Sequence, residues 1–289
     1  MNYAFHILTM IALYVILGMS LNLVVGYGGM LSLCHAAFYG SGAYAFTLLV
    51  VKAGWPFLAA LPAAVIITAL IAFLIGVVSL RLRGDFFVLA SLGFQSIAFT
   101  TLYNWTDLTH GPYGISGIPR PEILGLRFEE TWANLLVVIA LTACVCFLML
   151  RLTKQPFGRT LQAIRDDEIA AKSLGKDTIA FKRTAFMIGG ALAAVAGALF
   201  ASYSSYIDPT SFALDESVFI LCVVIIGGAG NFRGPVVGAS ILVLLPELLR
   251  FVGLPNAIAA NLRQIIYGLL LILMMRFRPQ GIAGRYAFD

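Results

Sequence analysis

The chain has 289 residues, of which 60% are hydrophobic and only 11% are charged. A soluble domain carries roughly 25% charged residues, so this composition excludes a soluble globule and favours an integral membrane protein. The net charge of +5 does not indicate nucleic-acid binding, because the Lys and Arg residues lie in short gaps between apolar runs. The length predicts a single transmembrane domain over residues 1–289.

Apolar runs along the chain predict an all-α, polytopic bundle of about eight to ten membrane spans. A bilayer core requires about 20 mostly apolar residues per helix. Seven runs fit or nearly fit this length: residues 4–25, 30–51, 56–80, 86–103, 132–152, 184–202 and 262–275. Residues 212–226 and 235–251 have apolar cores of only about ten residues, half a normal span. They either cross as short, partly unwound helices or pair as a re-entrant hairpin, and hydropathy counts nine spans in all.

The distribution of basic residues predicts the orientation, because Lys and Arg concentrate on the cytoplasmic side of membrane proteins. With the amino terminus outside, fourteen of the 19 basic residues lie in the cytoplasm, including eight between Arg151 and Arg183. Nine spans then place the carboxyl terminus inside. Residues 105–131 form an external loop rich in Gly and Pro, and residues 153–183 form a cytoplasmic segment.

The cytoplasmic segment has a helical pattern of its own. Its apolar residues recur at helical spacing, which predicts an amphipathic helix of about two to four turns with one shared apolar face. That predicted face consists of Leu161, Ile164, Ala171 and Leu174. Gly175 occupies the position of a left-handed C-cap. Asp177 or Thr178 can cap the helix that follows.

The sequence shows no pattern for catalysis or for a bound cofactor. No segment matches G-x-x-x-x-G-K-[ST], so we expect no phosphate-binding loop for ATP. The four cysteines lie within apolar segments without metal-ligand spacing, and neither a catalytic dyad nor a pair of carboxylates appears. We therefore expect no catalytic residue, no cofactor, no metal and no enzymatic activity in this chain.

Two glycine-rich segments interrupt the apolar pattern, at residues 26–29 and 227–234. Non-helical backbone at membrane depth is tolerated only where it is buried or lines a watery cavity. Glycine-interrupted segments in two halves of a chain therefore indicate a translocation site, although two tight cytoplasmic turns are the alternative. The predicted lining of the path comprises Gly28, Gly29, Ser32, His35, Gln95, Gly227, Gly228 and Gly230.

Acidic residues help to separate two classes of transporter. A stand-alone secondary carrier needs a buried ionisable residue to bind its coupling ion. Asp85, Asp215, Glu216 and Glu247 all fall near a predicted membrane interface and not at mid-depth. This placement disfavours a stand-alone secondary carrier or channel.

Five stretches, at residues 26–44, 81–87, 108–119, 156–175 and 227–235, carry a resemblance to one family. Their sequence and order resemble the M-type (LivM-like) permease subunit of ABC importers for branched-chain amino acids. One departure is an inserted Ile169 within the usual E-A-A-x-x-x-G coupling motif. Another is the sequence Ala-Ser-Leu-Gly at residues 90–93, where a threonine and an alanine are expected, and it leaves the solute open.

The resemblance implies a permease that translocates branched-chain amino acids by alternating access. It implies a multi-pass protein of the bacterial cytoplasmic (inner) membrane, with the lipid bilayer as its surroundings and no nucleic acid as a partner. The implied partners are a second homologous permease subunit, two cytoplasmic ATP-binding subunits and a periplasmic or lipid-anchored substrate-binding protein. An ABC permease for urea, short amides or another amino acid is the alternative. The ATPase-coupling residues are expected to be Arg159, Leu161, Ile164, Arg165, Asp166, Asp167, Glu168, Ala170, Ala171 and Gly175.

Overall fold

The computed structural model describes residues 2–82, 84–123, 126–127, 130–250, 256–278 and 280–284. The α-helices in this part of the chain are α1 (Asn2–Asn22), α2 (His35–Val51), α3 (Phe57–Ser79), α4 (Asp85–Asn104), α5 (Thr106–Thr109), α6 (Thr131–Lys154), α7 (Pro156–Asp166), α8 (Glu168–Ser173), α9 (Thr178–Ser204), α10 (Leu214–Gly227), α11 (Arg233–Arg250) and α12 (Asn256–Phe277). A π-helical turn, Leu23–Tyr27, continues α1. Strand β1 (Ile115–Ser116) pairs with β4 (Tyr206–Ile207), and β2 (Glu122–Ile123) pairs with β3 (Leu126–Arg127).

Five helical stretches among the described residues are long and apolar enough to cross a membrane: Tyr3–Tyr27, α3, α4, α6 and α9. The four other predicted spans correspond to α2, α10, α11 and α12. Helices α2 and α10 have 17 and 14 residues. At about 1.5 Å per residue they are roughly 25 and 21 Å long, which is less than the 30 Å thickness of a bilayer core. An all-α membrane protein is therefore confirmed, but the predicted spans differ in length.

Helix α10 begins in the middle of the bundle. The carbonyl oxygen of Phe212, just before α10, accepts a hydrogen bond of 2.8 Å from Gln95, which lies midway along α4. Helix α11 then packs back along α10, and its Glu247 accepts a hydrogen bond from Tyr3 near the start of α1. These contacts show that α10 starts inside the bundle and that α11 runs back towards the end where α1 begins.

The contacts define two ends of the bundle. At the end that we call the loop end, Lys52 Nζ donates to the carbonyl oxygens of Asp107 and Leu108 over 3.1 and 3.0 Å, and β1 pairs with β4. Helices α7 and α8 lie at the opposite end, which we call the coupling end, together with the turns that follow α1 and α10. The basic residues predicted to be cytoplasmic lie at the coupling end wherever the structure describes them.

The exposed faces of the long helices differ in polarity. Helix α3 exposes only apolar side chains along its length, among them Ile66, Leu70 and Leu74. Helix α6 likewise exposes apolar side chains. Helix α4 differs, because it exposes Gly93, Ser96, Thr100, Thr101 and Asn104 beside its apolar residues. The surfaces of α3 and α6 suit lipid, whereas the surface of α4 is partly polar.

Candidate functional site

The amino terminus of α2 lies inside the bundle, where side chains from two other helices cap it. The first N–H groups of a helix have no partner within that helix. The amide of Ala36 donates to Ser217 Oγ on α10 over 2.9 Å, and the amide of Ala37 donates to Gln95 Oε1 on α4 over 2.8 Å. Gln95 Oε1 also accepts from Ser217 over 3.2 Å, while Gln95 Nε2 donates to Phe212. Gln95 thus joins α2, α4 and the start of α10.

Ser32 and His35, which the sequence predicted to line the path together with Gln95, lie near the start of α2. The ring nitrogen Nε2 of His35 lies 2.6 Å from Ser20 Oγ on α1. Ser20 lies seven residues before the end of the π-helical turn, so α2 starts about 10 Å inside the end of that helix. Ser32, His35 and Gln95 are all buried and hydrogen-bonded. The structure brings the three side chains together as caps and packing groups within the wall of the bundle.

The two glycine-rich segments contact each other at the coupling end. Asn22, at the end of α1, accepts from the amide of Gly230 over 2.9 Å and donates to the carbonyl of Asn231 over 2.9 Å. Gly26 approaches Gly230 so closely that a side chain on Gly26 would overlap it. We call this contact between residues 26–29 and 227–231 the glycine junction.

The segment after α12 covers the glycine junction. The amide of Ala283 donates to the carbonyl of Gly227 over 2.9 Å. Gly228, with φ of +113°, lies directly against Gly284. Gly28 closes the π-helical turn, with its amide donating to Leu23 over 3.1 Å. The predicted path glycines therefore form one structure, which lies closer to the coupling end than Gln95 does.

Helix α7 meets the glycine junction through Arg165. Its Nη1 donates to the carbonyl oxygen of Gly26 over 2.6 Å. Gly29 has φ of +66°, and a Cβ at this position would lie 2.7 Å from Cγ of Arg165. Leu161 and Ile164 are 0% and 2% exposed on the same side of α7. The apolar face of α7 therefore packs on the permease itself.

A break at Asp167 divides the single cytoplasmic helix that the sequence predicted. Asp167 has an extended backbone, and its Oδ1 accepts hydrogen bonds of 2.9 Å from the amides of Ile169 and Ala170, which caps α8. The prediction of one shared apolar face is wrong, since Ala171 is 5% exposed and Leu174 is 80% exposed. The Asp167 cap starts α8 in a new direction, so spacing across the break no longer defines a face.

The caps predicted around α8 are confirmed. Gly175 adopts φ of +76° directly after the helix. Asp177 caps α9 by accepting from the amide of Ala180 over 3.0 Å. The exposed surface of α7 and α8 carries both charged and apolar side chains. We call this surface the docking surface, and it consists of Arg159, Asp166, Ile169, Ala170 and Leu174.

Glu168 fastens α8 to α9. Its Oε2 lies 2.6 Å from Lys182 Nζ, and its Oε1 lies 2.9 Å from Lys172 Nζ and accepts from Thr178 over 3.0 Å. Burial raises the pKa of Glu168, but the hydrogen bonds from Lys182, Lys172 and Thr178 outweigh this and lower it to about 2. Glu168 therefore carries its charge throughout the physiological pH range.

A cavity of about 330 Å³ opens at the coupling end between the α3–α4 turn, residues 29–31 and the start of α9. Its polar lining combines both signs of charge, with Arg81, Lys172 and Lys182 on one hand and Asp85 and Glu168 on the other. Gly29 also borders this cavity. The space therefore borders both the glycine junction and residues 153–183, which we call the coupling segment.

Glu216 lies deeper in the bundle than the sequence indicated. Its carboxylate interacts with the hydroxyl of Tyr14, which is near the middle of α1. The other carboxylate oxygen has no hydrogen-bond partner within the described part of the chain. The prediction placed Glu216 near an interface because it assumed that a span begins at the membrane surface. Helix α10 instead begins at mid-bundle.

A family model and several related proteins all indicate the same family for this chain. Residues 3–275 match the family model described as "Branched-chain amino acid transport system / permease component". The chain is 38% identical to the permease protein LivM of Salmonella typhimurium and to that of Escherichia coli K12, over 96% of this chain and 69% of each relative. It is 26% identical to the permease protein LivH of Escherichia coli K12, over 97% of this chain and 94% of that relative. No solved structure gives a significant match. The chain therefore belongs to the family of branched-chain amino acid transport system permease components.

Proposed function

We propose that this chain is the membrane-spanning permease subunit of an ATP-driven importer, in which it translocates branched-chain amino acids by alternating access. The observation that carries the mechanism is the bond between Arg165 and Gly26, which links the docking surface to the ends of α1 and α10. The relatives are transport components and not enzymes. ATP hydrolysis belongs to two cytoplasmic ATP-binding subunits.

The docking surface receives an ATP-binding subunit. Ile169 and Leu174 are 78% and 80% exposed, although both are large and apolar. Exposed apolar anchors within a polar rim are typical of protein interfaces. Leu161, Ile164 and Ala171 face the bundle instead, so they transmit motion and do not contact the ATPase. A shift of α7 reaches the glycine junction through Arg165.

A second, homologous permease subunit packs against α4. Its exposed residues Gly93, Ser96 and Thr100 suit a protein surface or a watery path better than lipid. The exposed faces of α3 and α6 are apolar by comparison and suit lipid. The Gln95 network lies directly behind this face and fixes the ends of α2 and α10 beside it. The solute crosses between the two subunits.

The protein is oriented in the bacterial cytoplasmic membrane with its loop end outside and its coupling end inside. The clustering of basic residues at the coupling end supports this proposal. On a background without the four native cysteines, Lys52→Cys should react with an impermeant thiol reagent in intact cells. Lys172→Cys should react only after lysis. Labelling of Lys172→Cys in intact cells would reverse the orientation.

The solute is tested by purifying the importer with its periplasmic or lipid-anchored binding protein and identifying what is bound. We expect leucine, isoleucine or valine. Urea, a short amide or another amino acid would keep the transport class and change the substrate. Uptake by this chain without any ATP-binding subunit would contradict the proposal. In that case the buried Glu216 would support the second candidate, an ion-coupled secondary carrier.

A further inference from the structure

A second cavity lies at the loop end, away from the glycine junction and the Gln95 network. It has a volume of about 450 Å³ and lies between α1, α6, α9 and the loop that precedes α6. This volume falls within the roughly 300–1,000 Å³ that is usual for small-molecule sites. The polar side chains that line it are His6, Arg120, Thr131, Asn134, Tyr203 and Ser204.

Asn134 is the deepest polar side chain of this cavity. It is 2% exposed, and its side-chain oxygen Oδ1 has no hydrogen-bond partner among the described residues. Buried polar groups in folded proteins almost always have a partner, so such an atom requires an explanation. An amide oxygen can only accept a hydrogen bond. The missing partner is therefore a donor, such as an N–H group.

The same cavity offers a cation and an aromatic wall. Arg120 has five N–H donors in a planar group, which suits a carboxylate or a phosphate. His6 Nδ1 lies 2.7 Å from the hydroxyl of Tyr203, and the two rings stack with centroids 5.7 Å apart. The His6–Tyr203 contact joins α1 to α9 and fixes that side of the cavity. A donor for an oxyanion and an acceptor for an ammonium thus line one space.

We infer that this cavity binds a small zwitterion, in which a primary ammonium donates to Asn134 and a neighbouring oxyanion accepts from Arg120. The phosphoethanolamine headgroup of a membrane lipid and a free amino acid share this chemistry. Trp132, which follows the lining residue Thr131 in the chain, is 53% exposed, and exposed Trp side chains collect at the headgroup level of a bilayer. The inference does not depend on which solute the importer carries.

The first experiment uses the complete importer and competition between three phospholipids with identical acyl chains, measured by native mass spectrometry. Phosphatidylethanolamine has the N–H donors, phosphatidylcholine has an ammonium without N–H, and phosphatidylglycerol has no ammonium. We expect phosphatidylethanolamine to bind about tenfold more tightly than the other two. Asn134→Leu and Arg120→Gln should each remove this preference. Lys52→Gln, which removes another cation from the loop end, should retain it.

The second experiment distinguishes the two sources of the zwitterion. Radiolabelled leucine is added to the importer in the absence of the binding protein, with and without phosphatidylethanolamine. Leucine binding that the lipid displaces and both variants abolish identifies a free amino acid, whereas lipid binding alone identifies a headgroup. Equal binding of the three lipids without leucine binding, or a preference that survives in Arg120→Gln, would overturn the inference. Because Arg120 is exposed, its variant serves as the test even if Asn134→Leu does not assemble.

Discussion

Arg165 of α7 donates a hydrogen bond of 2.6 Å to the carbonyl oxygen of Gly26, in the π-helical turn that ends α1. The last carbonyl groups of a helix have no partner within that helix, so a side chain from the coupling segment completes the end of a membrane helix. Asn22 on the same turn holds the loop that follows α10. The coupling segment therefore contacts the end of α1 directly and reaches the loop after α10 through Asn22.

Replacing Arg165 should uncouple ATP hydrolysis from transport. Hydrogen bonds that involve a charged group contribute about 1.5–3 kcal/mol, so we expect Arg165→Gln to lower uptake roughly tenfold or more. Asp166 loses its ion pair with Arg165, but the ATP-binding subunits should still co-purify, because the exposed apolar residues Ile169 and Leu174 are unchanged. Lys176→Gln removes an exposed cation of the same segment and serves as the control. Uptake at the wild-type level in reconstituted Arg165→Gln would show that this bond transmits nothing.

Gly29 and Gly54 have the same backbone conformation, so substitutions at the two positions can separate the effect of backbone strain from the effect of the contact with Arg165. Gly29 and Gly54 have φ of +66° and +68°, but a Cβ at Gly29 meets Arg165 whereas a Cβ at Gly54 meets nothing within 4 Å. The left-handed conformation costs about 1–2 kcal/mol for a residue with a side chain, so Gly29→Ala and Gly54→Ala should lose similar stability from strain. Only Gly29→Ala should also reduce uptake in complexes that assemble. Equal uptake by the two variants would argue against a role for the Gly29–Arg165 contact.

The docking surface predicts opposite results for neighbouring apolar residues. Ile169→Ser and Leu174→Ser should reduce co-purification of the ATP-binding subunits, since the loss of an interface anchor costs about 2 kcal/mol or more. Thermal stability of the permease should stay the same, because both side chains are exposed. Ala171→Trp should instead lower the yield of folded permease, since overpacking a filled core costs about 1–3 kcal/mol.

Two results with these variants would contradict this assignment of the docking surface. A stable Ala171→Trp permease that fails to capture the ATP-binding subunits would place Ala171 on the docking surface, as the sequence pattern predicted. Normal co-purification by both Ile169→Ser and Leu174→Ser would remove the docking role from α8. The measurements are the thermal midpoint in detergent and the ratio of subunits after affinity purification.

Gln95 should matter more for stability than its neighbour Ser96. Gln95→Leu leaves the carbonyl of Phe212 without this donor and leaves the amide of Ala37 with only its 3.1 Å bond to the carbonyl of Cys34. An unpaired buried group costs about 1–3 kcal/mol. Ser96 is exposed and donates only to Leu92 of its own helix, so Ser96→Ala should change stability little. The thermal midpoints of the two variants provide the test, and similar midpoints would contradict a capping role for Gln95.

The ion pairs of Glu168 should stabilise the coupling segment equally at pH 6 and pH 8. The pKa of this carboxyl is lowered from 4.5 to about 2. Its contribution to stability is therefore complete above pH 4.5 and is lost only as the pH falls towards 2. Glu168→Gln should lower the thermal midpoint by the same amount at both pH values. A difference that shrinks at pH 6 would mean that Glu168 takes up a proton in that range.

Local patterns allowed part of the coupling segment to be predicted from sequence. Gly175 and Asp177 are recognisable because a C-cap and an N-cap depend on a few neighbouring residues. The break at Asp167 has a local signal as well, since an aspartate followed by Glu168 is typical of a helix start. The apolar spacing of residues 161–174 instead predicted one continuous helix without a break. Leu174 was therefore assigned to the buried apolar face, although it is exposed.

The depth of a residue could not be predicted in the same way. Gln95 and His35 were predicted to line a path. The structure shows Gln95 bonded to the start of α2 and His35 bonded to Ser20 of α1. Glu216 was assigned to an interface because hydropathy gives the order of segments and not where each one starts. Its position depends on Phe212 entering the bundle to meet Gln95, which is a contact between residues more than a hundred positions apart.

The polar face of α4 has a consequence for biogenesis. Ser96, Thr101 and Asn104 each donate to a carbonyl oxygen one turn earlier in the same helix, over 3.1, 2.8 and 2.9 Å. One donor of each side chain thus has a partner within α4, which lowers the cost of exposing this face to acyl chains. If a second permease packs against α4, as proposed, we expect this subunit to be able to insert into the membrane before the two subunits meet.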